Sequence, residues 1–109
     1  MIKSTVCYLV HDEKWLMLLR NKKQHDLNHG KWIGVGGKLK TNETPYECMV
    51  REVIEETGYQ VQSALYCGII HFHYEHHEDE EIYVYQTSDY VGTLHECSAV
   101  SYTHLTLPT

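Results

Sequence analysis

Glu52, Glu55 and Glu56 crowd three carboxylates into one short stretch of the chain. On a helix, Glu52 and Glu56 lie one above the other at i and i+4, with Glu55 on the adjoining strip. Like charges at that spacing repel. If the helix ends soon after, they also face the negative end of its dipole. A divalent cation would relieve both penalties, and three carboxylates are the hard oxygen ligands that Mg²⁺ prefers. The plainer alternative is a solvated acidic face, partly neutralised by Arg51 at four residues from Glu47 or Glu55. Upstream, Gly36-Gly37 lets backbone approach a ligand closely. Lys38 follows and can reach a phosphate as a point charge. Taken alone, this Gly-Gly-Lys also reads as an ordinary turn.

These residues need a helix and a loop to hold them. A helix is expected over Pro45–Thr57, with Thr44 as N-cap, Pro45 at the first position and Glu47 completing a capping box. Gly58 fits the left-handed residue that follows a helix. Tyr46, Met49, Val50, Val53, Ile54 and Thr57 form one apolar stripe facing a core, and the three glutamates lie away from it. Before the helix, residues 2–10 read as a strand, 11–14 as a polar turn and 15–20 as a strand apolar enough to be buried on both faces. Residues 21–31 read as a loop, and 32–39 as a short strand running into a glycine-rich turn. After the helix, 61–74 and 81–90 read as a hairpin, and 93–97 could begin another strand. The order implies an α/β fold with a mixed sheet and a helix packed on it.

The chain has 109 residues, with 9 Lys+Arg against 15 Asp+Glu and a net charge of −6. That length suits one domain, burying roughly 65% of its unfolded surface. The acidic balance argues against direct nucleic-acid binding. No apolar run is long enough to span a bilayer, and the first residues lack a secretory pattern. A cytoplasmic setting is the expectation. Cys7, Cys48, Cys67 and Cys97 have no metal-ligand spacing and read as small buried hydrophobes. Tyr8, Trp15, Tyr83 and Tyr85 read as core or sheet residues.

The stretch GKLKTNETPYECMVREVIEETGY, residues 37–59, fills the pattern G-x5-E-x7-R-E-U-x-E-E-x-G-U, where U is bulky and apolar. Tyr59 is a loose match at the last position. On these residues the chain resembles the Nudix hydrolases of the MutT type, and the upstream string GKWIGVGGKL resembles the approach to that box in oxidised-purine nucleoside triphosphatases. The resemblance is strongest to bacterial 8-oxo-dGTP diphosphatases and covers residues 1–97. It implies an α/β/α sandwich. It also implies that Glu52, Glu55 and Glu56 bind Mg²⁺ or Mn²⁺ with help from the Gly36 carbonyl. Glu52 would deprotonate the attacking water, Arg51 would orient the catalytic glutamates and Glu43 would brace the loop. Gly37 and Gly58 are structural positions of the motif. Lys38 and Lys23 would contact the phosphates of a nucleoside triphosphate, and Trp32 would support the base pocket by packing. The implied reaction is water attack on the triphosphate, giving the monophosphate and pyrophosphate.

Three features depart from that pattern. Some relatives carry an amide side chain after the tryptophan to bond the purine. Ile33 stands there and cannot, while Asn28 or later groups could substitute. Other Nudix substrates, such as a dinucleoside polyphosphate or a nucleotide sugar, therefore stay open. The run HFHYEHHEDEE, residues 71–81, could bind Zn²⁺ or Ni²⁺ adventitiously, against the plainer reading of a strand end and a solvated turn. Residues 98–109 carry no Asp, Glu, Lys or Arg, and VSYTHLTLPT shows neither strand alternation nor a helical stripe. Residues 1–99 therefore read as the Nudix domain, and 100–109 as a non-native tail resembling a translated sequencing adapter. The expected domain lacks its C-terminal strand and helix, which would leave a sheet face open. Ala99 stands where relatives often place a further acidic metal ligand. An inactive fragment that only binds metal or nucleotide is the competing expectation. Oligomeric state is not legible.

Overall fold

A computed structural model describes residues 1–20, 32–94 and 100–106. Strand β1 spans Ile2–His11 and β2 spans Lys14–Arg20. His11 faces Lys14 across a two-residue turn in which Asp12 and Glu13 both have positive φ (49° and 63°). That backbone matches the natural strand twist and makes a tight hairpin. The glycine-rich segment forms two short strands, β3 (Trp32–Ile33) and β4 (Val35–Lys38). β3 pairs with β2, and β4 pairs with the first half of β1. Helix α1 spans Pro45–Thr57, followed by β5 (Tyr59–Phe72), β6 (Glu80–Gly92) and β7 (Val100–Thr106).

The sheet is mixed. β1 runs parallel to β6, which in turn forms an antiparallel hairpin with β5 at the sheet's edge. Residues in register across β1, β4 and β6 share a face. One face carries Cys7, Leu9, Leu16, Val35 and Tyr85, and α1 packs there through Met49 and Val53. The opposite face carries Val6, Tyr8, Ile70, Phe72 and Ile82 and is open as a cleft of about 460 Å³.

Helix α1 starts and stops where its capping chemistry dictates. The Thr44 side chain accepts from the Glu47 N–H at 3.1 Å, and the Glu47 carboxylate accepts from the Thr44 N–H at 3.0 Å. Gly58 takes φ 85° and donates to the Ile54 carbonyl at 3.0 Å. The stripe is narrower than its sequence suggests. Cys48, Met49, Val53 and Thr57 are buried, whereas Tyr46 and Ile54 flank them and are exposed.

Three further expectations are corrected. β2 is not buried on both faces: Leu16 is buried, but Trp15 and Met17 on the cleft side are only half-buried. Cys67 is exposed, because it lies on the edge strand β5, while Cys7 and Cys48 are buried. Of the strand expected over 93–97, residues 95–97 lie outside the described residues. Residues 100–106, read as lacking strand character, form β7 and pair antiparallel with β2 along its length, from Lys14 opposite Thr106 to Arg20 opposite Val100. The outer edge of β2 needs hydrogen-bond partners, and Val100, Tyr102 and Thr103 have the side-chain types strands favour. Residues 100–106 thus add a strand, and α1 is the one helix among the described residues.

Candidate active site

The site is assembled where the β4–α1 loop crosses the second half of α1. After β4, the chain turns at Lys40–Glu43, with the Glu43 N–H donating to the Lys40 carbonyl at 3.1 Å and Asn42 at φ 64°. The Glu43 carboxylate accepts from the Lys40 N–H at 2.9 Å, which closes the turn on itself.

Arg51 ties that turn to the helix. Its guanidinium holds Glu43 by two bonds, Nε to Oε2 at 2.7 Å and NH2 to Oε1 at 3.0 Å. It also donates from NH2 to the Lys38 carbonyl at 3.2 Å, and from NH1 to Glu52 at 2.7 Å and Glu55 at 3.2 Å. A planar fork suits such two-point carboxylate contacts. The consequences for charge follow. The hydrogen bonds from Arg51, then from the Lys40 backbone, hold the Glu43 carboxyl well down at about 2. The Glu43 hydrogen bond in turn pushes Arg51 above its ordinary value.

Glu52 is held tightly, with only 15% of its side chain exposed. It lies against Gly37: a Cβ built there would sit 2.5 Å from the Glu52 carboxyl carbon and 2.7 Å from each oxygen. Glu56 reaches the neighbouring peptide and accepts from the Gly36 N–H at 3.2 Å. Glu55 is the outer member, 52% exposed. Gly36, Gly37, Glu52 and Glu56 are thus brought together, and Arg51 links Glu43, Glu52 and Glu55 into the same network.

The donor chemistry fits a divalent cation: anionic oxygens from one helix, gathered on a bare glycine backbone that a side chain would block. As the side chains stand, no three His, Cys, Asp or Glu among the described residues converge closely enough to hold an ion. Glu52 and Glu55 are drawn to Arg51, and Glu56 to the Gly36 N–H. At Gly36 it is the N–H that faces a carboxylate, that of Glu56.

The sequence reads Cys48 only as a small buried hydrophobe. Its buried thiol lies 3.4 Å from Thr5 Oγ1, 3.6 Å from the Gly37 carbonyl and 3.8 Å from Arg51 NH2. It packs beneath the loop that presents Gly37. Burial pushes the thiol up, so it stays protonated. The signal was available: Cys48 lies one helical turn before Glu52.

Lys38 is exposed and lines the cleft on the far side of the sheet. There Glu80 accepts from Ser4 Oγ at 2.7 Å and from the Tyr74 hydroxyl at 3.2 Å. Lys23 lies outside the described residues, as do Asn28, Cys97 and Ala99; Trp32 belongs to β3. The histidine run does not form a metal cluster. His73 pairs with Asp79 at 2.9 Å and His71 faces Glu81 at 3.6 Å across the hairpin.

Comparison with known proteins agrees with this geometry. The NUDIX domain family matches residues 1–102. A zebrafish (Danio rerio) protein named oxidized purine nucleoside triphosphate hydrolase is 32% identical over 76 residues, which is 69% of this chain and 49% of that protein. The chain spans about half the length, or less, of the curated relatives it matches. Among solved structures, a MutT NUDIX hydrolase from Burkholderia pseudomallei superposes with a TM-score of 0.86 at 19% identity, covering 99% of this chain and 87% of that one. The MutT protein of Methanosarcina mazei gives 0.79 at 25% identity, covering 94% and 74%.

Proposed function

Because the chain belongs to the Nudix hydrolase family, we propose that it hydrolyses oxidised-purine nucleoside triphosphates such as 8-oxo-dGTP to the monophosphate and pyrophosphate, with Mg²⁺ or Mn²⁺. Nudix hydrolases generally use divalent metal ions. When bound, the cation supplies Lewis acidity, offsetting charge on the phosphate oxygens and acidifying a water. The observation that carries the reading is the Glu52 carboxylate, fixed between Arg51 and Gly37.

In this reading Glu52 takes the proton of the attacking water, and Glu52, Glu55 and Glu56 would hold the cation. Glu55 and Glu56 must then turn from the partners they now have. Arg51 keeps Glu52 from swinging away, and Glu43 and Lys40 keep Arg51 in place. Lys38 offsets phosphate charge. The water adds to phosphorus, the P–O bond to pyrophosphate breaks, and Glu52 carries off the proton. The apolar cleft formed by Val6, Tyr8, Ile70, Phe72 and Ile82 is a seat for a flat base. The zebrafish relative's name supports the oxidised purine.

Ile33 favours a second reading, another nucleoside diphosphate derivative, since an alkyl group cannot hydrogen-bond a base and apolar packing alone discriminates by only about 1–3 kcal/mol. A panel of 8-oxo-dGTP, dGTP, a dinucleoside tetraphosphate and a nucleotide sugar separates the two. A kcat/KM highest for 8-oxo-dGTP supports the first reading, and a higher value for either of the last two overturns it. No turnover of any of them would leave a fragment that only binds.

A further inference from the structure

We infer that the free edge of β5 is a dimer interface, where a second copy of this chain pairs antiparallel about a two-fold axis at Ile70. Among the described residues β5 ends the sheet, and none of them pairs with the outer side of its backbone. Exposed strand edges are normally guarded by charges, proline or bulges. Residues 59–72 contain no Asp, Glu, Lys, Arg or Pro. The first half is guarded instead by register shifts, which fall between Val61 and Gly68. From Gly68 to Phe72 the pairing with β6 is regular, and no described residue pairs with the outer side. This stretch also keeps large apolar side chains in solvent, with Ile69 40%, Ile70 45% and Phe72 40% exposed.

The occupant follows from charge and shape. Two copies of a chain of net charge −6 repel on balance, but this edge can face itself with no like charges opposed. The shape is self-complementary too. With the axis at Ile70, Gly68 stands opposite Phe72 of the second copy. Gly68, Ile70 and Phe72 alternate onto one face, and a Cβ built on Gly68 meets nothing within 4 Å. An aromatic ring laid across an edge glycine fills such a gap. The two-fold axis repeats this contact and places Ile70 against its own copy, as an isologous interface requires. Ile70 and Phe72 also line the cleft, so pairing would close that side with the second copy's Phe72.

Sedimentation velocity of the full chain from about 1 to 100 µM should show a concentration-dependent dimer, in the range of affinities such a small interface gives. Ile70→Lys opposes two like charges at the axis and should weaken the dimer at least about tenfold. To guard against misfolding of that variant, Ile70→Cys in a Cys67→Ser background should form a covalent dimer under mild oxidation, while the Cys67→Ser parent should not. A monomer throughout the range, a dimer that Ile70→Lys leaves intact, or an Ile70→Cys protein that fails to cross-link would each overturn the interface.

Discussion

Gly36 and Gly37 are adjacent, yet an added methyl group should act on them in different ways. At Gly37 the nearest atoms to a new Cβ are the Glu52 carboxyl carbon at 2.5 Å and its two oxygens at 2.7 Å. Carbon atoms rest about 3.5–4.0 Å apart, so Glu52 must retreat by about 1 Å. It is the end of a flexible side chain, so the fold should lose little. Catalysis should lose much, because a misplacement of about 1 Å can cost about 100-fold. At Gly36 the new Cβ would overlap the Thr5 carbonyl, a backbone atom of β1 that cannot retreat alone. The β1–β4 pairing would have to shift, at a cost of about 1–3 kcal/mol, or several degrees in Tm for a domain of this size. The assay is pyrophosphate release from 8-oxo-dGTP at saturating substrate and Mg²⁺, run beside a thermal melt. Gly37→Ala should keep its Tm within about 2 °C and lose about 100-fold in kcat; Gly36→Ala should lose Tm first. A Gly37→Ala enzyme with unchanged kcat would refute the argument that Glu52 must rest on the bare glycine.

Two further outcomes follow from Arg51. Its pairing holds Glu43 down at about 2, against an ordinary value of 4.5. A depressed carboxyl stabilises the fold fully above the unfolded-state value and loses that contribution as pH falls through the folded one. The Tm advantage of the wild type over Glu43→Gln should therefore hold above pH 5 and shrink between about pH 4.5 and 2; a constant difference across that window contradicts the assignment. Arg51→Lys keeps the charge but loses the fork that reaches Glu43, the Lys38 carbonyl and Glu52 together. It should fold, with kcat reduced about 10- to 100-fold and KM little changed; a wild-type kcat would mean that Arg51 does not position Glu52.

What could be read from the residues depended on how local its cause was. Thr44, Pro45, Glu47 and Gly58 act on their own neighbours, and the helix they bound has the limits they imply. Helical spacing points Arg51 to Glu55, which it meets, but not to Glu43 before the helix, which it holds by two bonds. Partners distant in the chain were less legible. β7 exists through its pairing with β2; Val100, Tyr102 and Thr103 suit a strand, but nothing within residues 100–106 names its partner. The half-buried Trp15 and Met17 report what covers the cleft face, and the apolarity of β2 alone cannot. Cys48 reads as a core residue until Thr5 and the Gly37 carbonyl are seen beside its thiol.

The most direct test is the rate of pyrophosphate release from 8-oxo-dGTP by the wild type and Glu52→Gln, each with Mg²⁺ and with the metal chelated. A positioned general base contributes about 100- to 10,000-fold. The wild type should turn over only with Mg²⁺, and Glu52→Gln should fall by at least that lower factor while melting as the wild type does. Turnover that survives chelation, or a Glu52→Gln enzyme as fast as the wild type, would contradict the site described here.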